Sequence, residues 1–427
     1  MHIVIIGNGI AGVSAAQSIR RLQPDWRITL VSGESTFHYS RPALMYIYMG
    51  HMRYRDCKPY EDSYWTEQRI DLRRAWVTGI DVANQRLELH EDQPLPYDKL
   101  LIATGSKSNK FGWPGQDLEG VQGLYSLMDL KLLQQNTREC RRAVIVGGGL
   151  IGIELAEMLH FQGIDVSFLV REKSYWDNVL PTEESAMVSA LIRKRGFDLR
   201  TTTSLDHIED NGSGRASAVV TDGGDRIECQ VVGLTAGISP NLDLVAESSI
   251  ATGRGILVDR GFRTNTDNIF AAGDCAEIVA EDGGRNLLQQ VWYTGKQQGA
   301  VAGEVIAGES RSYDPGIWYN SARFLDLEYQ TYGQVGFRVP GEESLYWQHP
   351  DAAQAVRVVH VDDRVIGLNF MGLRFFHPVA EGWIGAGASV DEVLDGLHEG
   401  NFQPEFAPQR DAMAVQSLRA QWKGRAA

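Results

Sequence analysis

The feature that most constrains how this chain can fold is a glycine pattern, G-x-G-x-x-G, that occurs twice. The copy at residues 7–12 follows an apolar run at 3–6, and the copy at 147–152 follows a similar run at 143–146. Each copy therefore has the order strand, tight turn and helix, in which the glycines let the backbone approach a pyrophosphate at the helix N-terminus. Two copies predict two dinucleotide sites, with electrons passing between them. The predicted phosphate-binding residues are Gly7, Gly9, Ile10, Ala11 and Gly12 in the first copy, and Gly147, Gly149, Leu150, Ile151 and Gly152 in the second.

Length, composition and charge bound the class of protein. A chain of 427 residues predicts two or three domains, and 43% hydrophobic with 22% charged residues is typical of a soluble globular protein. The formal net charge of -14, without a cluster of Lys or Arg, argues against a nucleic-acid surface. No apolar run is long enough to span a membrane, and the first fingerprint starts at Gly7, which leaves no room for a signal peptide. We therefore expect a cytoplasmic protein.

The cysteines are widely spaced and form no C-x-x-C or other close pair. Such spacing predicts neither a metal site nor a local redox disulfide, and isolated thiols are the expected state. The four cysteines are Cys57, Cys140, Cys229 and Cys275.

Two stretches rich in turn-forming residues, 112–123 and 235–240, indicate crossings between domains. Beyond Glu309 the pattern changes to strands, with a helix near 390–398. These changes predict three domains. Their predicted bounds are 1–110 with 244–308 for the first dinucleotide-binding domain, 111–243 for the second, and 309–427 for a C-terminal domain.

Five motifs in fixed order resemble one family across nearly the whole chain. The two fingerprints are joined by A-T-G at 103–105, T-A-G-I-S-P-N at 235–241 and A-A-G-D at 271–274. The set resembles the FAD-dependent pyridine nucleotide-disulfide oxidoreductase superfamily. Within it, the chain is most similar to the ferredoxin, rubredoxin and nitrite reductase flavoproteins and to the coenzyme A-disulfide reductase and NADH oxidase branch. The resemblance implies an α/β fold with two Rossmann-like domains, for FAD and NAD(P)H, and an α+β C-terminal interface domain that builds a homodimer.

The resemblance also implies a set of FAD contacts. Asp274 would hydrogen-bond the ribityl chain, and Arg41-Pro42 is similar to an R-P-P-L-S-K element near the flavin, although Tyr46 replaces the lysine. The acid expected for the adenosine ribose departs as well, because Gly33 stands at its position and Glu34 follows. We expect Glu34 to bind the ribose, with a solvated loop glutamate as the alternative. The further implied cofactor-binding residues are Val77, Ala103, Thr104, Gly105, Gly237 and Gly273.

Two residues are candidates for catalysis by the same resemblance. Glu154 follows the second fingerprint on the first turn of its helix, where similar reductases place an acid near the nicotinamide and the flavin. A glutamate favoured there by the helix dipole is the alternative. Trp292 matches a tryptophan beside the flavin in ferredoxin-reductase relatives, with a buried core tryptophan as the alternative.

The choice between NADH and NADPH depends on the residues after the second strand of the second domain. A carboxylate there would bind the ribose 2′-hydroxyl, whereas an arginine would accommodate a 2′-phosphate. The chain has Arg171 followed by Glu172, so either nucleotide is an expected donor.

Disulfide-reducing relatives carry one or two cysteines in the region that reads Y-S-R-P-A-L-M-Y at 39–46, and this chain has none there. Thiolate exchange needs an activated sulfur, so electrons are expected to leave from the flavin itself. The expected function is an FAD-dependent NAD(P)H oxidoreductase whose acceptor is a ferredoxin- or rubredoxin-type protein, a reductase partner or a quinone. The alternatives are an NAD(P)H oxidase or peroxide reductase, and a flavoprotein that serves mainly as a binding subunit. His377-Pro378 with Glu381 is similar to the H-P-x-x-x-E element of dithiol members but one residue short, and chance or an interface histidine explains it best.

Overall fold

The structure, a computed structural model, describes residues 1–336, 339–403 and 411–425. Contacts along the chain divide it into two compact units. The first unit consists of residues 1–112, 119–139 and 234–314, and the second of residues 113–118, 140–233 and 315–427. The first fingerprint belongs to the first unit and the second fingerprint to the second. The three-domain division with its sequence-derived bounds stays a prediction.

Residues 1–139 begin with the strand, turn and helix that the first fingerprint predicts. The first strand is rich in β-branched residues, and the first helix starts directly after Gly9. The strands are β1 (His2–Ile6), β2 (Arg27–Val31), β3 (Ile70–Arg73), β4 (Val77–Asp81), β5 (Arg86–Leu89), β6 (Asp92–Pro96), β7 (Lys99–Ile102), β8 (Ser106–Ser108) and β9 (Val121–Gln122). The helices are α1 (Ile10–Leu22), α2 (Leu44–Tyr48), α3 (Asp62–Glu67) and α4 (Leu127–Asn136), with 3-10 turns at Arg41–Ala43 and Tyr54–Cys57.

Residues 140–234 repeat the same local order around the second fingerprint. The strands are β10 (Arg142–Val146), β11 (Asp165–Val170), β12 (Asp198–Thr201), β13 (Leu205–Asp210), β14 (Ala216–Thr221), β15 (Arg226–Glu228) and β16 (Val231–Leu234), and the helices are α5 (Leu150–Phe161) and α6 (Thr182–Lys194). Strands β10, β11 and β12 pair in parallel, and β13, β14 and β15 form an antiparallel meander. The parallel strands are buried along most of their length, as expected of a sheet covered on both faces.

Residues 235–314 complete the sheet of the first unit. The strands are β17 (Ile238–Pro240), β18 (Ile256–Val258), β19 (Ile269–Ala271), β20 (Ala276–Ile278) and β21 (Leu287–Leu288), and the helix is α7 (Trp292–Ile306); a 3-10 turn lies at Asp243–Val245. The sheet has the order β19-β7-β1-β2-β3, and every neighbouring pair is parallel. Since parallel strands end at one edge, the turns after β1, β2, β7 and β19 all lie at the carboxyl edge, where ligands bind in such sheets.

Helices α1 and α7 pack closely because glycines of α7 face α1. A Cβ at Gly299 would lie 2.1 Å from the carbonyl oxygen of Ala11, and a Cβ at Gly303 would lie 2.5 Å from that of Ala15. Only glycine fits such an approach between two helix backbones. The close packing fixes the start of α1, where the first fingerprint lies.

The C-terminal part of the second unit is an antiparallel sheet packed against helices. The strands are β22 (Tyr319–Phe324), β23 (Leu327–Gly333), β24 (Glu342–Gln348), β25 (Ala355–Val361) and β26 (Arg364–Met371), and the helices are α8 (His377–Ala386), α9 (Val390–Gly396) and α10 (Asp411–Arg425), with a 3-10 turn at Leu397–Gly400. The sheet order is β22-β23-β26-β25-β24. The expected fold class, two Rossmann-like α/β parts with an α+β C-terminal part, is confirmed.

Candidate functional site

The first fingerprint forms an open cradle at the N-terminus of α1. Gly7 has φ +105°, and a Cβ there would lie 2.2 Å from the carbonyl oxygen of Ala103. At Gly9, by contrast, no atom would lie within 4 Å of an added Cβ. Gly9 caps α1 without a side-chain hydrogen bond, so the first N–H groups of the helix are available to a ligand. Open space beside uncapped N–H groups fits a dinucleotide pyrophosphate such as that of FAD.

The second fingerprint has the same geometry in the second unit. Gly147 has φ +124°, and nothing lies within 4 Å of a Cβ placed at Gly149. Gly149 caps α5 with no side-chain hydrogen bond, and its carbonyl oxygen accepts from the buried hydroxyl of Tyr175 at 2.8 Å. The cradle fits the pyrophosphate of a nicotinamide nucleotide equally well.

Glu34 lies just after β2 and is held by three donors. Its carboxylate forms an ion pair of 3.0 Å with Arg41 and accepts hydrogen bonds from the hydroxyl of Tyr39 and from the N–H of Leu127, the latter at 2.8 Å. Burial alone would raise the pKa of Glu34, but Arg41 and the hydrogen bonds hold it below its usual value. The carboxylate is therefore ionised and fixed, with 17% of its side chain still exposed.

Arg41 and Pro42 start the 3-10 turn after the β2 loop, and Arg41 is stacked on an aromatic ring. Its guanidinium lies 4.8 Å from the ring centroid of Tyr125 and donates to the carbonyl oxygen of Tyr125 at 2.7 Å. Val77 begins β4, and the indole of Trp76 directly before it is 52% exposed. Arg41 thus contacts both Tyr125 and Glu34.

Asp274 follows β19 in a turn that requires glycine. Gly273 has φ +80°, and its N–H donates to the buried side chain of Gln298 at 2.9 Å. The Asp274 carboxylate accepts from Ser106 Oγ at 3.2 Å and from Tyr125 Oη at 3.0 Å. Burial raises the pKa of Asp274, and the hydrogen bonds from Tyr125 and Ser106 oppose that rise.

The A-T-G motif and Gly237 lie where two chain segments of the first unit run side by side. Strands β8 and β17 pair antiparallel just after the motif. The Thr104 hydroxyl donates to the carbonyl oxygen of Asn241 at 3.0 Å, and the carbonyl oxygen of Gly105 accepts from the N–H of Asn241. Gly237 has φ +96°, and its carbonyl oxygen accepts from the N–H of Asn109 at 3.1 Å. These backbone contacts fix the segment that starts at Ala103, directly after β7, and this segment passes close to Asp274.

Glu154 lies in the second unit, just beyond the first turn of α5, and not on that first turn as the sequence predicts, because the first turn carries no acidic residue. Burial, together with the charge of Glu157 one turn further on, raises the pKa of Glu154 to about 7. A carboxyl group with such a pKa gains or loses its proton near neutral pH, which is a property of groups that act as acids or bases at functional sites. Trp292, in the first unit, is the first residue of α7 and is 39% exposed, so it is not a core tryptophan.

Arg171 and Glu172 bind each other at the end of β11. Arg171 Nη2 lies 3.1 Å from Glu172 Oε1, and 82% of the Arg171 side chain is exposed compared with 25% for Glu172. The carbonyl oxygen of Glu172 accepts from the N–H of Thr202, which fixes its backbone. Arg171 is thus the more accessible of the two.

Each cysteine is an unpaired thiol. Burial raises the pKa of Cys275, whose Sγ donates to the carbonyl oxygens of Ile102 and Ala272. Burial also raises the pKa of Cys57. Both sulfurs are therefore held as thiols and are poor nucleophiles. Among the described residues, no group of three or more His, Cys, Asp or Glu side chains is placed to hold a metal ion.

Sequence reasoning missed Tyr125 and Ser106, which contact Asp274. The local signal at Tyr125 is the capping box of Ser126 and Asp129, which marks the start of α4 and says nothing of the tyrosine before it. No helix within the described ranges has both the length and the apolar character needed to cross a membrane.

Comparison with known proteins gives a consistent result. The family model described as pyridine nucleotide-disulphide oxidoreductase matches residues 1–299. The chain is similar to rhodocoxin reductase of Rhodococcus erythropolis, with 32% identity over 76% of this chain and 76% of the relative. It is also similar to the ferredoxin reductase component of chlorobenzene dioxygenase from Cupriavidus sp. (strain PS12), with 30% identity over 71% of this chain and 74% of the relative.

A solved structure with the same fold is the ferredoxin reductase for the CYP199A2 system from Rhodopseudomonas palustris. It superimposes with a TM-score of 0.79 over 87% of this chain and 91% of that one, at 22% identity. At that identity the likeness concerns the fold alone.

Proposed function

The chain belongs to the pyridine nucleotide-disulphide oxidoreductase family, and from that premise we propose that its acceptor is a small ferredoxin-class electron-transfer protein. The protein is an FAD-dependent oxidoreductase that takes electrons from a nicotinamide nucleotide and passes them to an external acceptor. When bound, FAD accepts hydride equivalents from the nicotinamide and releases electrons singly or in pairs. The residues of the chain bind the two nucleotides, orient them and control which groups near them carry charge.

The observation that carries an external acceptor is the state of the thiols near the first site. Residues 39–46 contain no cysteine, and Cys57 and Cys275 are buried with raised pKa values. A disulfide relay needs a thiolate of lowered pKa, and neither sulfur meets that requirement. Electrons are therefore proposed to leave without passing through sulfur.

In the first unit, the cradle at Gly7 and Gly9 is proposed to hold the FAD pyrophosphate against α1. Glu34, ionised and fixed by Arg41, is proposed to accept from the adenosine ribose hydroxyls, and Asp274 from the ribityl hydroxyls. Both assignments are supported by the position of the two carboxylates, which follow the carboxyl ends of β2 and β19 in one parallel sheet. Trp292 is proposed to lie beside the flavin, since its exposed indole begins α7.

In the second unit, the cradle at Gly147 and Gly149 is proposed to hold the nicotinamide nucleotide. Glu154 is proposed to hydrogen-bond the nicotinamide end, as donor below its pKa of about 7 and as acceptor above it. Arg171 is proposed to bind a 2′-phosphate when the donor is NADPH, because its guanidinium is exposed and can leave Glu172. NADH would need no such contact.

We also propose a cytoplasmic homodimer formed through the C-terminal part. The aromatic rings of Phe376 and Phe402 stack on each other at 6.2 Å while 50% and 64% exposed, which is unusual for a surface without a partner. Size-exclusion chromatography with light scattering is expected to return a dimer. A monomer at every concentration would contradict the proposal.

The acceptor is tested by anaerobic titration of the purified yellow protein with NADH and with NADPH, followed by a [2Fe–2S] ferredoxin. The flavin absorbance is expected to bleach with nucleotide and to return as the ferredoxin is reduced. Parallel additions of a soluble quinone and of oxygen give the competing outcomes. Reoxidation by oxygen that ferredoxin does not accelerate would support an oxidase, and purification without flavin would contradict the proposed function.

A further inference from the structure

Tyr125 contacts both ends of the cofactor-binding network in the first unit. Its hydroxyl donates to Asp274 Oδ2 at 3.0 Å, and its carbonyl oxygen accepts from Arg41 Nη1 at 2.7 Å. Arg41 in turn forms the ion pair with Glu34. One residue that no motif marks therefore joins the carboxylate proposed for the flavin end of FAD to the ion pair proposed for the adenosine end.

The direction of the Tyr125 hydroxyl hydrogen is fixed by its second partner. The backbone N–H of Ser106 donates to Tyr125 Oη at 3.0 Å, so the hydroxyl uses a lone pair there and its own hydrogen is left for Asp274. The approach depends on Gly105, because a Cβ at that position would lie 2.9 Å from Tyr125 Oη. The last glycine of the A-T-G motif thus makes room for the tyrosine.

The backbone of Tyr125 is held as firmly as its ring. Its N–H donates to Asp129 Oδ2 at 2.9 Å, within the capping box that starts α4. Its ring is covered on one face by the guanidinium of Arg41. A phenol fixed at both its ring and its backbone can orient a partner without losing much conformational freedom on binding.

Asp274 receives both of its side-chain donors on one oxygen. Tyr125 and Ser106 bind Oδ2, and Gln290 donates to Ser106 Oγ at 2.7 Å, which turns the Ser106 hydroxyl hydrogen toward Asp274. A buried carboxylate stays ionised only where donors compensate the lost water. With Oδ2 engaged, Oδ1 is the oxygen available to a ligand.

We propose that Tyr125 is a positioning residue for FAD, which holds Asp274 as an oriented carboxylate with Oδ1 presented to a hydroxyl group of the ribityl chain. The inference rests on the proposed FAD site and adds a residue to it. Ser106 assists with the longer of the two hydrogen bonds. Tyr125 acts through Asp274, and its proposed role involves no contact with the reacting atoms.

The test compares the affinities of full-length protein for FAD and for ADP, which lacks the ribityl chain and the flavin ring. The protein is stripped of flavin and titrated with FAD by quenching of flavin fluorescence and with ADP by calorimetry. Tyr125→Phe is expected to raise the Kd for FAD about tenfold, as the loss of a hydrogen bond to a charged group does, and to change the Kd for ADP less than twofold. In an Asp274→Ala background, Tyr125→Phe is expected to change neither.

The matched control is Tyr48→Phe, which removes a hydroxyl hydrogen bond of 2.9 Å to Thr137 in the same unit and should leave both affinities unchanged. Ser106→Ala is the second variant if Tyr125→Phe does not fold. It should raise the Kd for FAD by less than Tyr125→Phe does and leave the Kd for ADP unchanged. Equal losses for FAD and ADP, or an unchanged Kd for FAD, would overturn the role of Tyr125. Wild-type protein that does not bind FAD would instead overturn the proposed function.

A pH series separates positioning from a merely structural effect. Protonation of Asp274 would remove the acceptor, so FAD affinity should fall on acidification. Because the phenol donor favours the carboxylate, Tyr125→Phe should move the midpoint of that fall to higher pH, while the ADP affinity follows the wild-type profile. An identical midpoint in both proteins would contradict the proposal.

Discussion

The indole of Trp76 lies against the backbone of Gly33, so close that a Cβ at residue 33 would be 2.3 Å from the ring atom Cδ2 of Trp76. Gly33 stands where relatives are expected to carry the acid for the adenosine ribose. The tryptophan occupies the space of that side chain, and the carboxylate of the next residue, Glu34, is fixed by Arg41 instead. The absence of a side chain at residue 33 therefore has a steric reason in the position of the Trp76 ring.

Gly33→Ala is expected to displace the indole and to lower the free energy of unfolding by about 1–2 kcal/mol, since an added methyl in a filled space forces its neighbour away. In a Trp76→Ala background the same substitution should cost less than about 0.5 kcal/mol, because the space is then empty. Urea unfolding measures both. Gly79→Ala is the control, since its Cβ would lie no nearer than 3.7 Å to another residue. Equal costs of Gly33→Ala in the two backgrounds would show that the contact is not the cause.

The stability of the protein is expected to depend on Glu154 between about pH 4.5 and pH 7. The pKa of Glu154 is raised to about 7 in the fold, above its ordinary value, so the fold favours the protonated form. Its contribution is present at low pH and is lost as the pH rises through that window. Glu154→Gln should therefore be more stable than the wild type at pH 8 by at most about 3 kcal/mol, with a smaller difference at pH 4.5. Urea unfolding at both pH values measures the change, and Glu247→Gln, at an exposed position, is the control. A difference independent of pH would contradict the assignment.

Arg171→Ala is expected to raise the KM for NADPH about tenfold and to leave the KM for NADH nearly unchanged, because only NADPH carries the 2′-phosphate. Steady-state rates with a ferredoxin acceptor and either nucleotide measure the effect. Lys173→Ala removes a neighbouring exposed charge and serves as the control for general electrostatic attraction. The same rise for both nucleotides would show that Arg171 has no part in nucleotide choice.

Arg357→Met is expected to destabilise the second unit by about 3–5 kcal/mol, because it leaves a buried carboxylate without its partner. Arg357 Nε lies 2.8 Å from Glu184 Oε1, with 7% and 1% of the two side chains exposed. Arg374→Met is the control: it breaks the exposed pair of Arg374 with Glu328 in the same sheet region and should cost less than about 1 kcal/mol. Thermal and urea unfolding compare the two, and similar costs would contradict the importance of burial.

The local parts of the first site could be predicted from the sequence, because their signal lies within a few residues. The glycines at 7–12 specify a turn and a helix start on their own, and Asp274 follows a strand and Gly273 directly. Tyr125 could not be predicted, since its partners Asp274 and Arg41 are distant in sequence and its own neighbours specify only a helix cap.

The positions that depart from the family pattern were visible in the sequence, but their consequences were not. Gly33 stands in the sequence where an acid is expected, yet nothing near it indicates the indole of Trp76, which comes from beyond the next strand. The predicted roles of Glu34, Glu154, Arg171 and Trp292 stay predictions, since each depends on a nucleotide bound in its place.

The strand β19 joins the first sheet beside β7 although the whole of residues 140–233 is made between them. A ribosome therefore releases β1, β2 and β7 long before the strand that completes their sheet, and Asp274 follows that strand. Such long-range pairing forms slowly and only once the late segment has emerged. During synthesis the first fingerprint is made long before β19 and Asp274, so the cofactor site cannot be complete until they have been made. A chain truncated before residue 269 would carry the first fingerprint and still lack a complete flavin site.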